Sequence, residues 1–282
     1  MKSQIKSVFF VLFCVLTFQS IGQQNAKGSL FIIGGGEKSD ALIKQMVDNA
    51  HLTAEDYIIV LPMASAQPDT GFINIQQQLQ LQTKAVVRNF NFSKHDVNDK
   101  QWIDSLSNAK LIYILGGDQS RFMQAVLKTP VYAAIRKAFE KGSTVAGTSA
   151  GAAVMSKYMI TGRQLTDTVY KETFDKLWDG NIEFAEGLGL LQHTIIDQHF
   201  LKRSRYSRLI TALGDKPGYV CIGIDEGTAI ITHGNKATVA GSSQVVRFAN
   251  PIKVTKTSKG LLKFDNINLG IFTSGDIIDI KP

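Results

Sequence analysis

A chain of 282 residues with 44 % apolar and 20 % charged residues can bury the core of one α/β domain. That ordinary composition excludes a disordered or polytopic membrane protein. The formal net charge of +7 is modest and spread along the chain, apart from one group of arginines, and reads as a mildly basic surface rather than a nucleic-acid-binding one.

The first residues read as a leader. Lys2 and Lys6 form a short positive region, residues 8–18 are apolar except for Thr17, and small residues follow at Ser20 and Gly22. This is the pattern of a secretory signal peptide over residues 1–22, which implies a secreted or periplasmic protein. The apolar run is shorter than the roughly 20 residues of a membrane span, and Cys14 lacks the small residues before it that a lipid anchor needs. No membrane anchor is therefore expected after processing. Loss of Lys2 and Lys6 lowers the net charge to +5 and leaves Cys221, in an apolar stretch, without a partner for an internal disulfide.

Beyond the leader, apolar runs alternate with helix-like stretches. Residues 29–33 form a run that stops at Gly34-Gly35-Gly36, followed by a helical stretch over 39–50. A second run over 57–61 halts at Pro62, before a glutamine-rich helical stretch over 73–83. Runs over 85–92 and 110–115 follow, the latter stopped by Gly116-Gly117. Two helical stretches surround Pro130, and a fifth short run covers 143–146. Runs apolar on both faces, separated by helices, are what a parallel sheet covered on both sides requires. Residues 162–187 read as a loop, and residues 200–213 as a helix periodic at Leu201, Leu209 and Leu213. Short β-like pieces then occupy 219–224, 229–232, 237–240, 245–248, 261–264 and 277–280. The expectation is a single α/β domain over residues 23–282, with a mainly parallel sheet completed by C-terminal antiparallel strands.

Gly147-Thr148-Ser149-Ala150-Gly151 is the strongest local signal. G-x-S-x-G alone is weak, but an apolar run enters this one and a helix-compatible run leaves it. A sharp strand-to-helix turn exposes the serine, needs small neighbours, and places a helix N-terminus beside the reacting oxygen. A serine hydroxyl needs a base. His51, His95 and His233 sit in polar turns, and His193 lies in an apolar run and reads as a packed sheet residue. His199 closes that run just before a helix, where side chains face the crevice in which α/β proteins bind ligands. Gly116-Gly117 forms another strand-to-helix turn, whose Gly117 amide could join that of Ala150 in an oxyanion hole.

Five segments carry a family resemblance. In order they are Ile33-Gly34-Gly35-Gly36-Glu37, Gly116-Gly117-Asp118-Gln119, Gly147 to Ala152, Asp197-Gln198-His199-Phe200 with Arg203, Arg205 and Arg208, and Gly223 to Ala229. Together they resemble the cyanophycinase branch of the serine peptidase family that also contains aspartyl dipeptidase. The resemblance implies a flavodoxin-like three-layer α/β sandwich related to class I glutamine amidotransferases. It implies Glu226 as the acid behind His199, with Asp167 as runner-up and Asp197 third, and no metal or organic cofactor. It also implies substrate contacts from Gln119, Asp197 and Gln198, hydrolysis of cyanophycin (an aspartate backbone with arginine on each β-carboxyl) to β-Asp-Arg dipeptides, and a homodimer. Arg203, Arg205 and Arg208 follow the expected base at the start of the expected helix. Their guanidinium groups suit substrate carboxylates, although pairing with the protein's own acids would use the same chemistry. An exported exopeptidase for other aspartyl peptides, and an inactive peptide-binding protein on the same fold, stay open.

Overall fold

A computed structural model describes residues 28–282 apart from residue 168; the leader expected over 1–22 lies outside the described residues. The N-terminal half alternates strand and helix: β1 (Ser29–Ile33), α1 (Asp40–Ala50), β2 (Tyr57–Leu61), α2 (Pro68–Gln80), β3 (Val86–Asn89), α3 (Lys100–Asn108), β4 (Leu111–Ile114), α4 (Gln119–Val126), α5 (Pro130–Lys141), β5 (Thr144–Thr148) and the short α6 (Ala150–Ala153). Capping residues set several boundaries. Ser39 accepts the Leu42 amide at the start of α1, Asp99 those of Gln101 and Trp102 before α3, and Asp118 those of Ser120 and Arg121 before α4. Pro68 and Pro130 open α2 and α5, and Gly142, at φ 109°, ends α5 in the left-handed region.

The remaining chain is mostly β: β6 (Tyr158–Gln164), β7 (Ile182–Glu186), β8 (Thr194–Gln198), then α7 (Tyr206–Asp215), β9 (Val220–Ile224), β10 (Thr228–His233), β11 (Lys236–Gly241), β12 (Val245–Ile252), β13 (Thr255–Lys256), β14 (Leu262–Lys263), β15 (Asn266–Phe272) and β16 (Ile277–Asp279). The main sheet has the order β16-β11-β10-β1-β5-β4-β2-β3. Its five N-terminal strands are parallel, and β10, β11 and β16 complete it antiparallel beside β1. Alternate residues of β1, β2 and β4 face opposite layers. Phe31, Ile33, Ile58, Val60, Leu111 and Tyr113 pack under α1 and α2. Leu30, Ile32, Ile59, Leu61, Ile112 and Ile114 pack against α3 to α6. The result is the expected mixed α/β fold with a large, mostly parallel sheet.

Five features differ from the sequence reading. The late antiparallel strands also build a second sheet, β15-β12-β9-β8, whose Ile196, Ile222 and Ile224 share the core under α3 to α6. Its other face, with Ile195, Cys221 and Val246, packs on α7. The expected loop 162–187 contains the end of β6 and all of β7, a hairpin with a register shift between Ile160 and Gln164 that blurs its alternation. Helix α3 was not anticipated; its Trp102 stacks between Phe90 and His95, at 4.2 and 3.7 Å between ring centroids. Helix α7 starts at Tyr206, because residues 200–205 form turns held by Arg203 N–H to His199 O and Arg205 N–H to Phe200 O, both 3.0 Å. His193, expected to pack within a strand, is exposed just before β8, and burial pushes the Cys221 thiol far above its usual range. Among the described residues no helix is long and apolar enough to cross a membrane.

Candidate active site

The end of β5, the end of β8 and the turn after β9 meet at one rim, around the glycine turn that follows β1. Ser149 has φ 53° and ψ −109°, a backbone conformation that costs a non-glycine residue about 1–3 kcal/mol. It is over-determined locally: the Ser149 amide donates to Ile33 O at 3.0 Å, and the Ala152 and Ala153 amides return to Ser149 O at 2.9 and 3.1 Å. Small neighbours are obligatory. A Cβ on Gly147 would lie 2.3 Å from Gly151 O, and one on Gly151 would lie 2.4 Å from Ile114 O. His199 also has a positive φ, 48°, and its amide donates to Gly34 O at 2.7 Å. Two successive carbonyls at the end of β1 thus hold the Ser149 and His199 backbones.

Three side chains form a chain of hydrogen bonds. Ser149 Oγ lies 2.9 Å from His199 Nε2, and His199 Nδ1 lies 2.6 Å from Glu226 Oε1. Both ring nitrogens are therefore occupied. Asp167 sits elsewhere, in the β6–β7 connection, where its carboxylate accepts the Asn181 amide at 3.0 Å and its backbone N–H donates to Asn181 Oδ1 at 3.2 Å. The Ala150 amide opens α6 and has no partner within that helix by position. Gly116 packs against the nucleophile turn, its position leaving 3.3 Å between an added Cβ and Ser149 Cβ. Gly117, at φ 138°, could carry no side chain at all, since a Cβ would lie 2.1 Å from Ala64 O.

The turn Gly34-Gly35-Gly36 does more than end a strand. A Cβ on Gly35 would stand 2.3 Å from His199 Cε1, and one on Gly36 would stand 2.7 Å from Glu226 Cβ. The Gly227 amide, next to Glu226, donates to Gly35 O at 3.0 Å. Absent side chains thus make room for the imidazole and the carboxylate, a role the sequence reading missed because three glycines after a strand look like any turn. Gly35→Ala should displace the imidazole and strain a backbone at φ 115°. The expected loss is on the order of 10²-fold in kcat/KM, as for small misplacements of a reacting group. Unchanged kinetics in that variant would show that the ring position is not set here.

Burial lowers the His199 pKa, against the Glu226 hydrogen bond that raises it, with Arg203 and Arg205 adding to the lowering. A base must be neutral, so a depressed pKa extends its working range toward acid. The acid limb of kcat/KM should therefore fall below the ordinary histidine value of about 6.5. Arg203→Ala should move that limb back toward neutrality, as pH–rate profiles of the two proteins would show.

The expected substrate-binding residues are mostly turned inward. Gln119, Asp197, Gln198, Arg205 and Arg208 are all buried. Gln119 Nε2 donates to Ile160 O and Thr161 O, at 3.0 and 2.8 Å. Arg208 forks onto the Asp197 carboxylate, with its Nε at 2.9 Å. Arg205 donates to Gln198 O and Oε1 and, through Nε, to Glu172 at 3.0 Å. Arg203, with a side chain 44 % exposed and only a 3.6 Å contact to Glu172, is the one of the three arginines left facing solvent. In this structure the protein's own acids and amides occupy Arg205 and Arg208, the pairing that the sequence left open beside substrate carboxylates. Asp197, lying in a fully buried strand, requires that cationic partner. Arg208→Ala should lower stability by about 3–5 kcal/mol, the cost of stranding a buried charge. Thermal melting would show this, with activity falling equally on every substrate.

Known proteins share this architecture. A curated cyanophycinase of Trichormus variabilis is 31 % identical over 273 residues, 90 % of this chain and 86 % of that protein. Peptidase E of Actinobacillus pleuropneumoniae is 26 % identical over 194 residues, 66 % of this chain and 73 % of that one. The crystal structure of a peptidase from an acI-B1 Actinobacterium superposes with a TM-score of 0.63 at 21 % identity, covering 91 % of this chain and 98 % of that one, a likeness of fold. A sequence profile of peptidase family S51 matches residues 30–240. The chain therefore belongs to peptidase family S51 and is a serine-type peptidase.

Proposed function

We propose that this peptidase is exported and hydrolyses cyanophycin to β-Asp-Arg dipeptides through an acyl-enzyme on Ser149. The observation that carries the chemistry is the continuous contact Ser149–His199–Glu226, at 2.9 and 2.6 Å. Ser149 Oγ attacks the backbone carbonyl while His199 Nε2 takes its proton. The imidazolium is stabilised by Glu226 on Nδ1, and the oxyanion is held by the Ala150 and Gly117 amides. His199 returns the proton to the leaving amine, and water, deprotonated by the same nitrogen, frees the acyl group. The cyanophycin substrate is supported by curated cyanophycinases that match across most of this chain. A hydroxyl within hydrogen-bonding reach of a base also weighs against an inactive peptide-binding protein.

Insoluble cyanophycin incubated with the purified protein tests the substrate. Soluble β-Asp-Arg, identified by mass, is the expected product. Turnover of short aspartyl peptides with no release from the polymer would replace cyanophycin by the aspartyl-peptide reading. Recovery of the protein outside the cytoplasm, with Gln23 as its first residue, would test the leader.

A further inference from the structure

On the α1 and α2 side of the main sheet, a cavity of about 220 Å³ opens against the nucleophile turn. Gly116 and Thr148 form part of its wall: Thr148 precedes Ser149 along the chain, and Gly116 packs against the Ser149 turn. Its chemistry is unusual for the floor of a packed layer. Tyr113 is fully buried there, and its hydroxyl lacks a hydrogen-bond partner, Thr148 lying near but outside bonding geometry. Gln78 Oε1 is likewise buried and unpartnered. A buried polar group without a partner is costly, and native proteins retain such groups where a ligand or water completes them.

Lys38 supplies the charge. It lines the same cavity, its Nζ sits 3.5 Å from the Gly36 carbonyl, and burial lowers its pKa against the pull of Glu37. Asn74 and Ser65 add further hydrogen-bonding groups, and the Asn74 amide can present an N–H. Among the described residues, no acidic side chain lines the cavity. A cation, an unpaired hydroxyl and an amide donor, with no competing acid, complement an anion of carboxylate size.

We propose that this cavity is a subsite for one free carboxylate of the substrate, carried on the side chain of the residue whose carbonyl Ser149 attacks, with Lys38 and Tyr113 as its recognition residues. The inference rests on the Ser149 reading above and deepens it. In cyanophycin the free carboxylates along the polymer are those of the attached arginines. Lys38 and Tyr113 would then read the arginine end of each side chain, a task for which Arg205 and Arg208, bound internally, are not free.

Short β-Asp-Arg oligomers whose arginine carboxylates are either free or converted to carboxamides test this directly. The wild-type chain should prefer the free acids by about 10- to 100-fold in kcat/KM, the range of a charged hydrogen-bond set. Lys38→Met and Tyr113→Phe should each collapse that ratio by roughly fivefold or more, and Lys38→Arg should restore part of it. Melting curves on every variant separate recognition from folding. A Tyr113 hydroxyl that is merely buried without a ligand would give a raised Tm and an unchanged ratio in Tyr113→Phe. A wild-type ratio near one, or ratios untouched by both substitutions, would overturn the proposal. Labelling of Ser149 by a small neutral phosphonate keeps the two readings apart. Labelling with a flat ratio removes the subsite alone, and no labelling removes both.

Discussion

Replacing Ser149 by alanine is expected to reduce hydrolysis by on the order of 10⁴-fold or more while leaving the melting temperature within a few degrees of wild type. The side chain is only partly buried and its hydroxyl makes one hydrogen bond, to His199, so little packing is lost. The strained backbone is held by main-chain contacts to Ile33, Ala152 and Ala153, which alanine keeps. A variant that retained wild-type turnover would place the nucleophile elsewhere. A variant that lost activity together with its melting transition would report only on the fold of the β5–α6 turn.

The second large effect concerns the acid. Glu226→Gln keeps shape but removes the charge that fixes the His199 tautomer and stabilises its protonated form. A loss of about 10³- to 10⁴-fold in kcat is expected, with Tm unchanged. Asp167→Asn should cost much less, because Asp167 is hydrogen-bonded to Asn181 and both nitrogens of His199 are already taken. Parallel kinetics on the two variants decide the matter: the reverse order would make Asp167 the orienting acid in the working enzyme, despite the 2.6 Å contact to Glu226.

Much of this site was legible in the sequence because its parts are local. A strand that stops at glycines, a serine between small residues and a histidine closing an apolar run each declare themselves within ten residues. Their convergence was not legible: Ser149 follows a strand of the main sheet and His199 a strand of the second, and the carbonyls of Ile33 and Gly34 hold the two together. Glu226 needed the family resemblance, because nothing local separates it from Asp225, which caps the Lys202 amide and accepts Ser243 Oγ. The internal pairing of the arginines was left undecided for a different reason. A helix from residue 200 would have aimed them at the crevice, whereas turns over 200–205 aim Arg205 inward and Arg208 onto Asp197. The signal was present: an aspartate inside the buried strand Thr194–Gln198 requires a cation, and Arg208 lies on the buried face of α7. The second sheet was hidden because a β-run does not say which strand it will join; β9 and β10 are separated by three residues yet enter different sheets.

The most direct test of the account is intact-mass and peptide-level analysis of the purified protein after treatment with a serine-directed fluorophosphonate. A single adduct on the peptide containing Ser149 is predicted, formed at a rate that falls sharply in His199→Ala and Glu226→Gln. An unmodified protein, or an adduct on another residue formed at the same rate in all three proteins, would contradict it.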